Sequence, residues 1–187
     1  MKNKVGSFSI SQTKRTRLAV VVCLLIKCLT TIPLTAEAIA AEEATLRAAI
    51  ILKILHQVNW PQKLEKNINF CTDGVSPSID RLRQLEGKKI TQHGAKLHFL
   101  TETSGGNEQC HVQIVGAGAS ESALTNMPLL VICDNCKNNR SGASVELIRE
   151  KSRIGFNLDL AEAKKKNIRF KIPLMELAKN IRGHHGH

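Results

Sequence analysis

Short apolar runs recur along this chain at 67–71, 96–100, 110–115 and 129–133, separated by segments of helical or turn character. Runs of that length are strand-sized. Strands alternating with helices bury their apolar faces by forming a largely parallel sheet with helices packed against it. This recurrence constrains the fold more than any other feature of the sequence.

The elements follow from local signals. Leu46, Ala49, Ile50, Lys53, Ile54 and Val58 run near a 3.6-residue spacing with no Gly or Pro among them, which predicts a helix over 42–58. Ile50, Ile51, Leu52, Ile54 and Leu55 make it apolar over more than one face, so burial is expected. Trp60-Pro61 ends it, because the residue before proline is pushed out of the α region. Asn67–Cys71 reads as a strand closed by Asp73-Gly74, and Ser76–Leu85 as a helix with Ser76 as N-cap ahead of Pro77. Next come a strand at Lys96–Leu100, a polar loop at Glu102–Gln109, a strand at Cys110–Val115, a helix at Ser120–Asn126 and a strand at Leu129–Cys133. Val145–Arg149 and Arg153–Leu158 flank Glu150-Lys151-Ser152 and read as a hairpin at the sheet edge. A helix at Leu160–Lys166, a strand at Ile168–Ile172 and a closing helix from Pro173 to Ile181 complete the pattern. The expected fold is a single α/β domain over 44–182, with a central largely parallel sheet, flanking helices and a C-terminal hairpin: a Rossmann-like sandwich.

The first forty residues read as a secretory signal peptide. Lys14, Arg15 and Arg17 precede the apolar stretch Leu18–Leu29, and Ala38-Ile39-Ala40 offers small residues for cleavage after Ala40. The stretch is shorter than the ~18 to 20 apolar residues of a membrane span. Neither Cys23 nor Cys28 follows the small residue that lipid attachment requires. Secretion is expected. Residues 1–40 hold six of the 27 basic and one of the 16 acidic side chains, so processing lowers the net charge from +11 to +6. Lys164, Lys165 and Lys166 then form the one local basic cluster, which reads as a solvated helix face. With only Trp60 and the phenylalanines at 70, 99, 156 and 170 as aromatics in the processed chain, nucleic acid is not an expected partner.

Processing leaves Cys71, Cys110, Cys133 and Cys136, an even number in an oxidising compartment. Two disulfides are expected, and three connectivities are open. Cys71 closes one strand and Cys110 opens another, which favours their pairing; the bridge would be worth about 4 kcal/mol in the chain-entropy model. Cys133-Asp134-Asn135-Cys136 reads first as a structural or regulatory disulfide worth only about 2 kcal/mol. A thioredoxin-like pair would sit at a helix N-terminus, whereas Lys137–Gly142 reads as loop. A closed zinc site needs four ligands, and no second C-x-x-C exists.

Other motifs carry less. Gly116-Ala117-Gly118 after a strand has the start of a dinucleotide loop, but Glu121 at its last position would face a pyrophosphate with like charge. A plain turn is the better reading. His184, His185 and His187 form a short His-rich tail over 183–187, read as a frayed terminus. No Ser/His/Asp or paired-carboxylate arrangement stands out, so neither catalysis nor a cofactor or metal is expected. In the final strand, Arg169 and Lys171 alternate with Ile168, Phe170 and Ile172, which puts both basic side chains on one face. Arg169, Lys171 and Trp60 are the expected partner contacts, because guanidinium suits carboxylates and Trp is a frequent interface anchor.

Four motifs in order resemble the YfiR family of periplasmic regulators. They are the first helix running into Trp60-Pro61, the turn Leu85-Glu86-Gly87-Lys88, the run Cys110-His111-Val112-Gln113-Ile114-Val115-Gly116, and Arg153-Ile154-Gly155-Phe156-Asn157-Leu158 leading to Ala161, Ala163 and the Leu174–Ala178 helix. Leu55, His56 and Gln57 stand where the family often has aromatics, and Ser141-Gly142 where Gly-Gly is usual. The resemblance implies a homodimeric, redox-responsive protein that binds the periplasmic sensory domain of a membrane-bound diguanylate cyclase. It would thereby lower cyclic-di-GMP synthesis and biofilm formation. It also implies sequestration by an OmpA-like outer-membrane lipoprotein, and it agrees with a Cys71–Cys110 bridge. A periplasmic thiol-disulfide oxidoreductase using Cys133 and Cys136 is the alternative, and a small-ligand receptor a weaker one.

Overall fold

Helix α1 covers Leu34–His56, starting earlier than its apolar spacing predicts. The side chains it buries are Arg47, Ala48, Ile51, Ile54 and Leu55, with Val58 just beyond its end. That is a helical stripe, but rotated from the predicted one: Leu46 is 44% exposed, and Ala49 and Lys53 are exposed. The rotation brings a charged residue, Arg47, into the interior. The protein is described by a computed structural model over residues 34–61, 66–91, 94–100, 110–119, 130–136 and 142–183. The expected signal peptide apart from its last residues, the expected Glu102–Gln109 loop and Ser120–Asn126 helix, and the histidines of the tail lie outside the described residues. Among the described residues, no helix is long and apolar enough to cross a membrane.

After α1 the chain forms β1 (Val58–Asn59), β2 (Asn67–Asp73), α2 (Ile79–Arg83), β3 (Lys96–Phe99), β4 (Val112–Val115), β5 (Leu130–Asp134), β6 (Val145–Glu150) and β7 (Arg153–Asp159). It ends with α3 (Leu160–Lys165), β8 (Arg169–Phe170), α4 (Ile172–Leu177) and β9 (Asn180–Arg182). A seven-stranded sheet has the order β3-β2-β4-β5-β6-β7-β9, and β1 and β8 form a separate two-stranded sheet. Strands β2 to β6 run parallel to one another. The described residues from Ala40 onward form one compact unit.

The Rossmann-like sandwich is not what this chain builds. After β6 only Lys151 and Ser152 separate the strands, and Lys151 adopts φ 53°. A two-residue connection can only reverse the chain, so β7 is antiparallel to β6. The hairpin is not at the sheet edge, because β9 adds beyond it, parallel to β7. Nor does the closing helix reach Ile181. Ala178 leaves the helix with an extended backbone, and the next residues find partners in the sheet. Lys179 donates its backbone N–H to the Phe156 carbonyl at 2.8 Å, and the Asn180 side chain donates to Asn157 Oδ1 at 3.0 Å. Arg182 reaches Asp159 at 3.5 Å. The expected strand over Ile168–Ile172 is likewise cut to β8, which leaves the main sheet to pair with β1. The result is a mixed α/β fold.

The core lies on one face of the sheet. Ile68 and Phe70 of β2, Ile114 of β4, Leu130 and Ile132 of β5 and Leu158 of β7 pack there with Ile51, Ile54 and Leu55 of α1. Side chains alternate across a strand, so the intervening residues face the other way. Val115, Val131, Cys133, Cys136 and Ala143 form a second, smaller cluster.

The carboxyl ends of β2 and β4 are where an open parallel sheet whose strand order reverses usually leaves a ligand crevice. Here the two loops close on each other: Val75 and Ala117 exchange backbone hydrogen bonds of 2.9 Å in both directions. A Cβ on Gly116 would lie 2.3 Å from the Val75 carbonyl carbon. The Gly116-Ala117-Gly118 segment is therefore a turn closed against a neighbouring loop. Gly116→Ala should cost about 1–3 kcal/mol through backbone displacement, read as a lower urea midpoint. Gly155→Ala, whose Cβ would make an ordinary 3.8 Å contact with Ile148, should fold with near wild-type stability.

Candidate functional site

A strand that ends in a buried run places its last side chain at the sheet's carboxyl edge, and β5 places Asp134 there. Its carboxylate is fully buried, and an isolated buried charge is too costly to persist without partners. Four groups satisfy it. Arg47 of α1 donates to Oδ1 at 2.6 Å. Oδ2 accepts from the Ser76 hydroxyl at 2.6 Å, the Ser78 hydroxyl at 2.7 Å and the Ser78 backbone N–H at 3.1 Å. Arg47 is itself anchored by Glu43 one turn earlier at 2.8 Å, and Glu43 also takes Arg149 of β6. One carboxylate thus ties α1, β5 and the β2–α2 loop together.

This cluster changes the reading of Ser76. The helix it was expected to cap begins only at Ile79, with Ser78 in the cap position and no side-chain capping bond. Both serine hydroxyls turn to Asp134 instead.

Asp134 also lies between two bridged cysteines. The disulfides are Cys71–Cys110, with a Cα–Cα distance of 5.9 Å, and Cys133–Cys136, at 5.4 Å. Both distances are ordinary for the bond. Asn135 adopts φ 73° to make the short loop, a left-handed conformation that Asn tolerates better than most residues. Cys133 and Cys136 are 2% and 3% exposed, and Cys133 lies within β5. A thiol-exchange nucleophile needs access and an environment that favours the thiolate. This pair lacks the access, which argues against the oxidoreductase reading. Cys71 and Cys110 are half-buried, so theirs is the bridge more open to a reductant. Among the described residues, no group of three or more His, Cys, Asp and Glu side chains is arranged to hold a metal.

The expected partner contacts meet at the other small sheet. The β1–β8 ladder sets Val58 opposite Phe170 and Asn59 opposite Arg169, so Trp60 follows directly beside the basic strand. Arg169 is exposed while Phe170 is buried, as alternation requires. Lys171 is half-buried and donates its Nζ to the His56 carbonyl at 3.2 Å; its role is in part to fasten this sheet to the end of α1. Trp60 is partly buried against the core. In the basic cluster, Lys164 and Lys165 are exposed, with Lys165 paired to Glu162 at 2.6 Å. Lys166 turns inward to the Gly142 carbonyl at 3.4 Å, and burial lowers its pKa.

The YfiR/HmsC-like family matches residues 44–179. The chain belongs to that family. The matched span runs from α1 to the end of α4 and so contains the Asp134 cluster, both disulfides and the β1–β8 sheet. No curated protein matches the chain.

The buried pair gives a direct test. Asp134→Ala would remove one of the two carboxylates that neutralise the buried Arg47 guanidinium, with Glu43 left as the other, and should cost up to about 3–5 kcal/mol, measured by urea denaturation. Replacing both residues (Arg47→Met with Asp134→Leu) should recover much of that loss, because no unpaired charge remains.

Proposed function

We propose that this protein is a periplasmic regulator that binds the periplasmic sensory domain of a membrane-bound diguanylate cyclase and holds the enzyme inactive. Cyclic-di-GMP signalling and biofilm formation fall as a result. The observation that carries this reading is membership of the YfiR/HmsC-like family over residues 44–179. The N-terminal leader supports the location, and two disulfides suit an oxidising compartment. An outer-membrane lipoprotein of the OmpA-like type is the proposed antagonist, and the active repressor is proposed to be a homodimer.

The β1–β8 sheet is the proposed contact surface, with exposed Arg169 directed at acidic groups of the cyclase domain and Trp60 beside it. Redox sensitivity is assigned to Cys71–Cys110, the more accessible of the two bridges. Its loop spans 39 residues, which corresponds to about 4 kcal/mol in the chain-entropy model. That is a large share of the ~5–15 kcal/mol by which a domain is usually stable.

The test is made in the native host. Deleting the gene should raise cellular cyclic-di-GMP, and the wild-type gene should restore it. Arg169→Glu should fail to restore it while the purified variant keeps wild-type melting. Cys71→Ala should both melt lower and de-repress. Unchanged cyclic-di-GMP on deletion would overturn the reading.

A further inference from the structure

The end of β4 that carries Cys110 is held to β2 by an unusual acceptor. Parallel strands pair by regular backbone N–H to carbonyl bonds, and His111 obeys the pattern in one direction: its N–H donates to the Asn69 carbonyl at 2.9 Å. In the other direction the Asn69 N–H is accepted by the imidazole Nδ1 of His111 at 3.0 Å. A backbone N–H can only donate, so Nδ1 must be unprotonated and the ring neutral. The His111 carbonyl in turn accepts from Leu130 N–H at 2.9 Å, which extends the ladder toward β5. The same two segments are joined covalently by Cys71–Cys110, two residues along on β2 and one residue back before β4.

We propose that His111 is an acid-operated latch beside the Cys71–Cys110 disulfide: with the ring neutral the β2–β4 end next to the half-buried bridge is held together, and protonation at Nδ1 loosens it so that reduction is faster. A protonated Nδ1 presents N–H to N–H, so the Asn69 donor loses its partner and the ring becomes charged where it is half-buried. Both changes favour an opened ladder end. The inference concerns the bridge alone and does not depend on the identity of any partner.

Among the described residues, the neighbours are consistent with a titration set by the site itself. Asn69, on β2, and Gln113, on β4, carry no charge. Cys71 and Cys110 are oxidised and do not titrate. On β3, His98 is opposite Asn69 in register and is engaged by Glu86 at 2.7 Å. Burial is the cause that holds the His111 pKa below its ordinary 6.5. A folded-state value below the unfolded one means that the neutral ring's contribution is complete above about pH 6.5. It is lost as pH falls through the folded-state value.

The experiment uses the full oxidised chain and a phosphine reductant. Reduction of Cys71–Cys110 is timed by thiol labelling and mass spectrometry at pH 7.5 and pH 5, for wild type, His111→Asn and His98→Asn. Asn at 111 keeps a side-chain acceptor but cannot titrate. The wild-type rate relative to His111→Asn should be near one at pH 7.5 and rise about tenfold at pH 5, with His98→Asn behaving as wild type. A ratio unchanged with pH, or a rise abolished by His98→Asn, would overturn the proposal. Should His111→Asn fail to fold, ¹⁵N-resolved titration of wild type decides. The Asn69 amide should shift with the same midpoint as the His111 ring, and an amide that ignores the titration would contradict the latch.

Discussion

The ion pair between Arg47 and Asp134 fixes the relation of α1, the longest helix among the described residues, to the sheet. Both groups are almost without solvent contact, so each is tolerated only because it is paired, Arg47 with Asp134 and Glu43 and Asp134 with Arg47 and the two serines. The pair dictates which face of α1 turns inward. That choice sets Ile51, Ile54 and Leu55 against the β2, β4 and β5 side chains of the core. It also sets the end of α1, and with it the β1 segment that pairs with β8. The surface proposed to meet a partner thus depends on a buried contact further up the helix.

The two disulfides divide the work differently. Cys133–Cys136 is buried and closes a loop of sequence separation 3, so it removes little chain entropy. Its value is positional, because it brackets the residue that clamps α1. Cys71–Cys110 closes a long loop and is partly accessible, so it combines a large effect on stability with exposure to redox change. A regulator that must respond to its surroundings and keep its shape gains from separating these tasks. His111 adds a hydrogen bond that depends on proton concentration next to the responsive bridge.

Much of the element order was legible because the strands are short, apolar and bounded by turns such as Asp73-Gly74 and Lys151-Ser152. What could not be read were outcomes set by long-range pairing. Asn180–Arg182 continues a helical stretch in sequence, yet Asn157, Asp159 and the β7 backbone recruit it as a strand. Arg47 sits in an otherwise apolar stretch of helix, and its partner lies 87 residues away. A signal was present: a single Arg within a helix apolar on several faces, and an Asp ending the run Leu129–Cys133. Neither alone says that the two meet. Ser76 was ambiguous for the same reason, since a hydroxyl before a helix serves a cap or a buried carboxylate equally well.

The central claim is that this fold acts by holding a membrane protein. Its most direct test is affinity capture from host membranes with the mature protein as bait, oxidised in one arm and reduced with dithiothreitol in the other. The account predicts recovery of a diguanylate cyclase by the oxidised bait and loss of it on reduction. Recovery of no membrane cyclase by the oxidised bait would contradict it.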